Sequence, residues 1–139
     1  MGSIRNLAQR LWPEMPRNWV AFAPDGLPVI MTRLGNRRLP VLVDTGAARS
    51  LIVPAVASGL GLRIIGTDRI VGVTGSVASV QVVEVTGVGI ANIDLPPFRA
   101  GVLELGHLRL GIQAVLGVNA FAGRRLQLDF SEGRLYLLS

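Results

Sequence analysis

Apolar positions along the chain fall in short runs, many of them β-branched, broken by glycine, proline and small polar residues. Runs of that length between turn signals predict a mostly β domain. Leu27–Leu34 and Arg37–Val43 flank Gly35-Asn36, a two-residue connection suited to a hairpin. The second arm runs apolar straight into Asp44-Thr45-Gly46, so a buried strand feeds this loop. Leu51-Ile52-Val53 reads as a returning strand, and Pro54–Leu60 as one or two helical turns opened by proline.

From Arg63 to Leu105 strand signals dominate: Ile64-Ile65, Ile70-Val71, Val77–Val85, Val88–Ile93 and Val102–Leu105. Turns are expected at Gly66, Gly72–Gly75, Gly87 and Pro96-Pro97. Val115-Leu116-Gly117 precedes a short helical stretch over Asn119–Arg124. Two closing strands, Leu126–Phe130 and Arg134–Leu138, are joined by Ser131-Glu132-Gly133. No repeat or internal linker interrupts the pattern. Residues 1–20 read as a loosely committed arm, partly disordered, and 21–139 as a single domain.

Composition adds three constraints. Half of the 139 residues are hydrophobic, and the mean hydropathy of +0.48 is high for so small a core. An oligomer interface is a natural place for the surplus apolar surface. The formal charge is +5 and every basic residue is arginine, a bias that suggests a GC-rich bacterial source. Those arginines are scattered, with aromatics at only 5%, so no nucleic-acid surface is expected. Cysteine is absent, which removes disulfides and thiolate metal sites. Met1–Arg5 lacks the form of a secretion signal. The longest uncharged stretches, such as Leu110–Gly123, fall short of the roughly 18 apolar residues of a spanning helix. No membrane contact by this segment is expected. The compartment stays open between cytoplasm and a periplasmic or tethered placement with its anchor upstream.

Reactive groups are few. His107 is the one histidine, set among leucines, and no Asp or Glu pair has metal-ligand spacing. Neither a metal nor a cofactor is expected. What remains is Val41-Leu42-Val43-Asp44-Thr45-Gly46-Ala47, an Asp-Thr-Gly that, taken alone, is also an ordinary turn.

In that context the sequence resembles the retropepsin-like, retroviral-type aspartic protease family, including its bacterial single-domain members. The resemblance runs from about Leu27 to Leu138. Its apolar-apolar-Asp-Thr-Gly-Ala segment matches Leu42–Ala47, and its glycine-containing flap matches Gly72-Val73-Thr74-Gly75. Its apolar-apolar-Gly-x-Asn segment matches Val115–Asn119, and its closing hairpin matches Leu126–Phe130 with Gly133–Leu137.

The resemblance implies an all-β, closed-barrel-like fold with one short C-terminal helix, active as a homodimer. It implies an aspartic endopeptidase in which Asp44 is catalytic and the second carboxylate comes from another copy. Thr45, Gly46 and Ala47 would support the loop, Thr45 by bonding across the two-fold axis. Ala47 carries no hydroxyl, unlike relatives with Ser or Thr there. Substrate, an extended peptide, would meet Ala48, Arg49, Gly72, Val73, Thr74, Gly75 and Val115. Arg49 stands where viral members often carry an acid, which implies that an acidic side chain is welcome beside it. Asn119 would cap the helix, and Asp129 would be a structural strand residue. The alternative reading is a non-catalytic peptide-binding or dimerisation module of the same fold.

Overall fold

The computed structural model describes residues 17–24, 26–72, 74–108 and 111–138. Its strands are β1 (Trp19–Ala21), β2 (Val29–Leu34), β3 (Arg37–Val43) and β4 (Ser50–Ile52), followed by helix α1 (Pro54–Gly59). Then come β5 (Ile64–Val71), β6 (Val77–Val85), β7 (Val88–Ile90), β8 (Ile93–Asp94), β9 (Phe98–Val102) and β10 (Ala114–Leu116). A 3-10 turn over Val118–Phe121 leads to β11 (Arg125–Asp129) and β12 (Arg134–Leu138). Most of the arm expected over residues 1–20 lies outside the described residues, although Trp19–Ala21 forms a strand.

Local chemistry accounts for the hairpins. Gly35, at φ +60°, takes the left-handed turn conformation that lets β2 fold back on β3. Along β3, Leu39, Val41 and Val43 point inward while Arg38 and Pro40 face outward, the alternation of a half-buried strand. Proline opens α1 without forfeiting a hydrogen bond. β5 and β6 form a long hairpin with a register shift between Ile64 and Gly66. Gly66 therefore belongs to a bulge within a strand and not to the expected turn.

Two sheets result. Nine strands take the order β5-β6-β9-β4-β10-β3-β2-β7-β8, and β1, β12 and β11 form a separate three-stranded sheet with β12 in its centre. The all-β expectation holds, but the barrel is not closed among the described residues: β5 and β8 end the larger sheet without meeting. The expected C-terminal helix is a four-residue 3-10 turn; Ala122, with ψ of 132°, stops it there. Ile30, Val41, Ile52, Ile90, Leu135 and Leu137 fill the core between the sheets. β1 is held on β12 by Trp19, whose ring lies 4.3 Å from the Arg134 guanidinium carbon.

Candidate active site

β10 is the element that builds the site. It is three residues long and wholly buried, and it lies parallel to β3 and antiparallel to β4. The loop that joins β3 to β4, residues 44–49, therefore leaves and returns on either side of one short strand. Asp44 N–H donates to Leu116 O at 3.0 Å, which ties the head of the loop to the end of β10. The loop then turns tightly, with Ala47 N–H donating to Asp44 O at 3.1 Å.

Asp44, Thr45 and Gly46 are exposed at this turn. The Asp44 carboxylate accepts the Gly46 N–H at 3.0 Å, so the backbone orients it. Gly117 carries the underside of the loop. A Cβ there would lie 2.5 Å from Arg49 O and 2.6 Å from Ala47 O, so only glycine permits this approach. Directly after it, Val118 N–H donates to Ala47 O at 2.9 Å.

The far end of the loop is fixed by a polar relay centred on a buried serine, which sequence reasoning missed. Ser50 is fully buried; its hydroxyl donates to Asn119 Oδ1 at 2.7 Å and accepts Gly117 N–H at 3.0 Å. Asn119 Nδ2 in turn donates to Arg99 O at 2.7 Å. Asn119 is thus not the helix cap expected from sequence: the 3-10 turn has no side-chain cap, and this amide instead joins β4, β9 and the Gly117 corner. The pairing of Ser50 with an Asn two residues beyond a Val-Leu-Gly was the available signal.

Of the residues expected to meet substrate, Ala48 and Arg49 line a cavity of about 370 Å³ beside the loop. Its other walls come from β5, β6 and β9, including Asp68, Val80, Val82 and Gly101. Arg49 Nη1 forms an ion pair with Asp68 Oδ2 across this space. The acid expected beside Arg49 is therefore supplied by the chain itself. Val115 lies elsewhere. It is 5% exposed in the core, paired with Leu42 and Leu51, and is not among the residues lining the cavity.

Gly72, Thr74 and Gly75 sit at the tip of the β5–β6 hairpin; Val73 falls outside the described residues. Gly72 N–H donates to Ser76 O at 2.8 Å, Gly75 N–H to Gly72 O at 2.9 Å, and Gly75 has φ +82°. Val71 and Val77, which flank the tip, are 66% and 59% exposed. These two are cross-strand partners on one face, and Ala78 on the other face is exposed as well, so the distal hairpin is wet on both faces while its base walls the cavity. Asp129 does local work: its Oδ1 accepts Ser131 Oγ at 2.7 Å and the N–H groups of Ser131 and Glu132 at 3.0 Å each. No group of three or more His, Cys, Asp or Glu that could hold a metal occurs among the described residues.

Residues 30–120 match a family model described as aspartyl protease. Among curated proteins no match is found. Two solved structures are similar in fold. A retropepsin-like aspartic protease from Rickettsia conorii is 20% identical, with a TM-score of 0.58, over 87% of this chain and 91% of that one. The retroviral protease-like domain of Ddi1 from Leishmania major is 16% identical, with a TM-score of 0.52, over 85% of this chain and 96% of that one.

Proposed function

The chain belongs to the aspartyl protease family, and on that premise we propose that it is an endopeptidase whose site is completed by a second copy of itself. The observation that carries this reading is the placement of Asp44. It sits exposed at the head of a clamped turn, with one carboxylate oxygen held by Gly46 N–H, in a sequence with a single Asp-Thr-Gly. Water activation by this chemistry takes two carboxylates, and a two-fold axis beside the loop supplies the other.

The two Asp44 carboxylates share one proton, because like charges about 3 Å apart do not both ionise readily. The ionised member takes a proton from a water held between them as its oxygen attacks the peptide carbon. The protonated member gives its proton to the carbonyl oxygen. The resulting tetrahedral diol collapses when a proton reaches the amide nitrogen and the C–N bond breaks, so one water is consumed per bond cut. Thr45 would bond the partner loop and hold the carboxylates in register.

The peptide would lie extended, adding a strand to the exposed backbone of the loop and hairpin. Ala48 and Arg49 would contact its side chains, with Gly72–Gly75 closing over it as a flap. The cavity beside Arg49 is a subsite of moderate size, and a substrate acid there would compete with Asp68 for the guanidinium.

A mixed peptide library tests the reading, digested by the wild type with and without pepstatin and by Asp44→Ala, with sedimentation run in parallel. Cleavage confined to the dimer and abolished in Asp44→Ala is expected. Cleavage that survives the substitution overturns the mechanism. A confirmed dimer that cuts nothing favours the peptide-binding alternative.

A further inference from the structure

A second cavity, of about 450 Å³, lies on the outer face of β2 and β3 and plays no part in the mechanism above. Three arginines line it, Arg17, Arg33 and Arg38, and no Asp or Glu is among its described lining residues. Arg38 is the second residue of β3 and Asp44 follows its end, so six residue steps of extended strand put the two about 20 Å apart.

Arg33 and Arg38 are direct cross-strand partners in the antiparallel β2–β3 pair. Like charges facing one another there destabilise a sheet. Nevertheless, the surroundings hold Arg33 in place. Its guanidinium lies over Gly89, where a Cβ would come within 2.5 Å of Arg33 Cζ. Arg33 Nη2 donates to Ala91 O at 2.6 Å. Ala91 has φ +52° in the β7–β8 turn, a conformation a non-glycine residue adopts at a cost. Glycine at 89 and a left-handed alanine at 91 thus both serve to seat one guanidinium. Arg17 also lines the cavity; its carbonyl accepts Asn92 N–H at 3.1 Å, and its guanidinium carbon lies 5.1 Å from the Trp19 ring centre. Among the described residues the acid that meets Arg33 is Asp94, 3.8 Å away with its side chain 85% exposed, a weak and solvent-screened partner.

We propose that this cavity is a binding site for a small polyvalent oxyanion of the diphosphate class. Planar guanidinium forks match phosphate oxygens in pairs. Concave walls concentrate the field of several like charges, and the volume falls in the range of small-ligand sites. An anion set between Arg33 and Arg38 converts their repulsion into a shared contact.

Isothermal titration of the full chain with inorganic diphosphate, at ionic strength matched with sodium chloride, tests the site. Saturable one-to-one binding is expected, weakened about tenfold or more in Arg38→Ala, the loss expected for one hydrogen-bonded charge. Arg63→Ala removes the same charge elsewhere and should leave the affinity within about twofold, since Arg63 only loosely meets Glu84 at 4.0 Å. Without ligand, Arg38→Ala should melt at or above the wild-type temperature. Arg38→Gln keeps the stem and gives the same answer should the alanine variant fail to fold. No saturable binding, binding indifferent to Arg38, or an equal loss in Arg63→Ala each overturns the proposal.

Discussion

Ser50 and Asn119 stand 69 residues apart in the chain and share a 2.7 Å hydrogen bond beneath the Asp44 loop. The same Ser50 oxygen accepts the Gly117 amide, so one hydroxyl joins the returning strand to the corner that supports the turn. Removing it strands the buried Gly117 donor and the part-buried Asn119 acceptor together.

Ser50→Ala is therefore expected to cost about 1–3 kcal/mol, the penalty for leaving buried polar groups unpaired. Asn119→Ala should cost a similar amount, and the double variant less than the sum, since both singles break one relay. Urea unfolding of the three variants measures this. Strict additivity would mean that the relay is not a unit.

Gly117→Ala tests the close approach below the loop. A Cβ there must push back the carbonyls of Ala47 and Arg49, which are backbone atoms that cannot turn away. Overpacking of that kind costs about 1–3 kcal/mol. Peptide cleavage should fall much further than stability, because the displaced segment carries Asp44. Equal proportional losses in both measurements would detach this corner from the chemistry.

Asp68→Ala releases Arg49 from its partner across the 370 Å³ cavity. With side chains 59% and 37% exposed, the pair is worth less than about 1 kcal/mol of stability. Specificity should move instead: the variant is expected to gain cleavage of peptides with Asp or Glu near the scissile bond. Arg49→Ala should lose that gain when combined with it. An unchanged cleavage pattern in both would remove this pair from the subsite.

Asp129 links stability to pH. The Ser131 hydroxyl, and after it the Glu132 amide, hold its carboxyl below the ordinary value of 3.8. A depressed native value stabilises the fold above the unfolded pKa, and that contribution is lost as pH falls through the native one. Asp129→Asn should therefore melt below the wild type at pH 7, and the gap should close as pH drops below about 4. Melting curves from pH 7 to pH 3 check the sign; a gap that widens on acidification refutes it.

Sequence pattern captured much that depended on neighbours in the chain, though the turn expected at Gly66 is a bulge and the helix expected over Asn119–Arg124 is a short 3-10 turn. The β2–β3 hairpin followed from the Gly35-Asn36 turn between two strand-like runs, and the closing hairpin from Ser131-Glu132-Gly133. The Asp44 loop itself followed from the apolar strand that feeds it. What the pattern missed was chosen by partners far away. β10 is three apolar residues with no alternation, and nothing local says that it slides between β3 and β4. Val115 was expected near substrate, but it lies in the core on the central strand of the larger sheet. Asn119 was read as a cap because caps are local, whereas its amide is satisfied by Ser50 and by Arg99 O. Arg49 was read by its own charge, and Asp68, on another strand, answers that charge.

In the smaller sheet, β12 has β1 on one side and β11 on the other, both from its own chain. A second copy has no vacancy beside β12 to fill, so pairing need not exchange that terminal strand. Folding and association then become separable events. On the proposed dimeric mechanism, dilution would separate protomers that keep their sheets, so activity would be switched off by low concentration and restored by raising it, with no refolding step between.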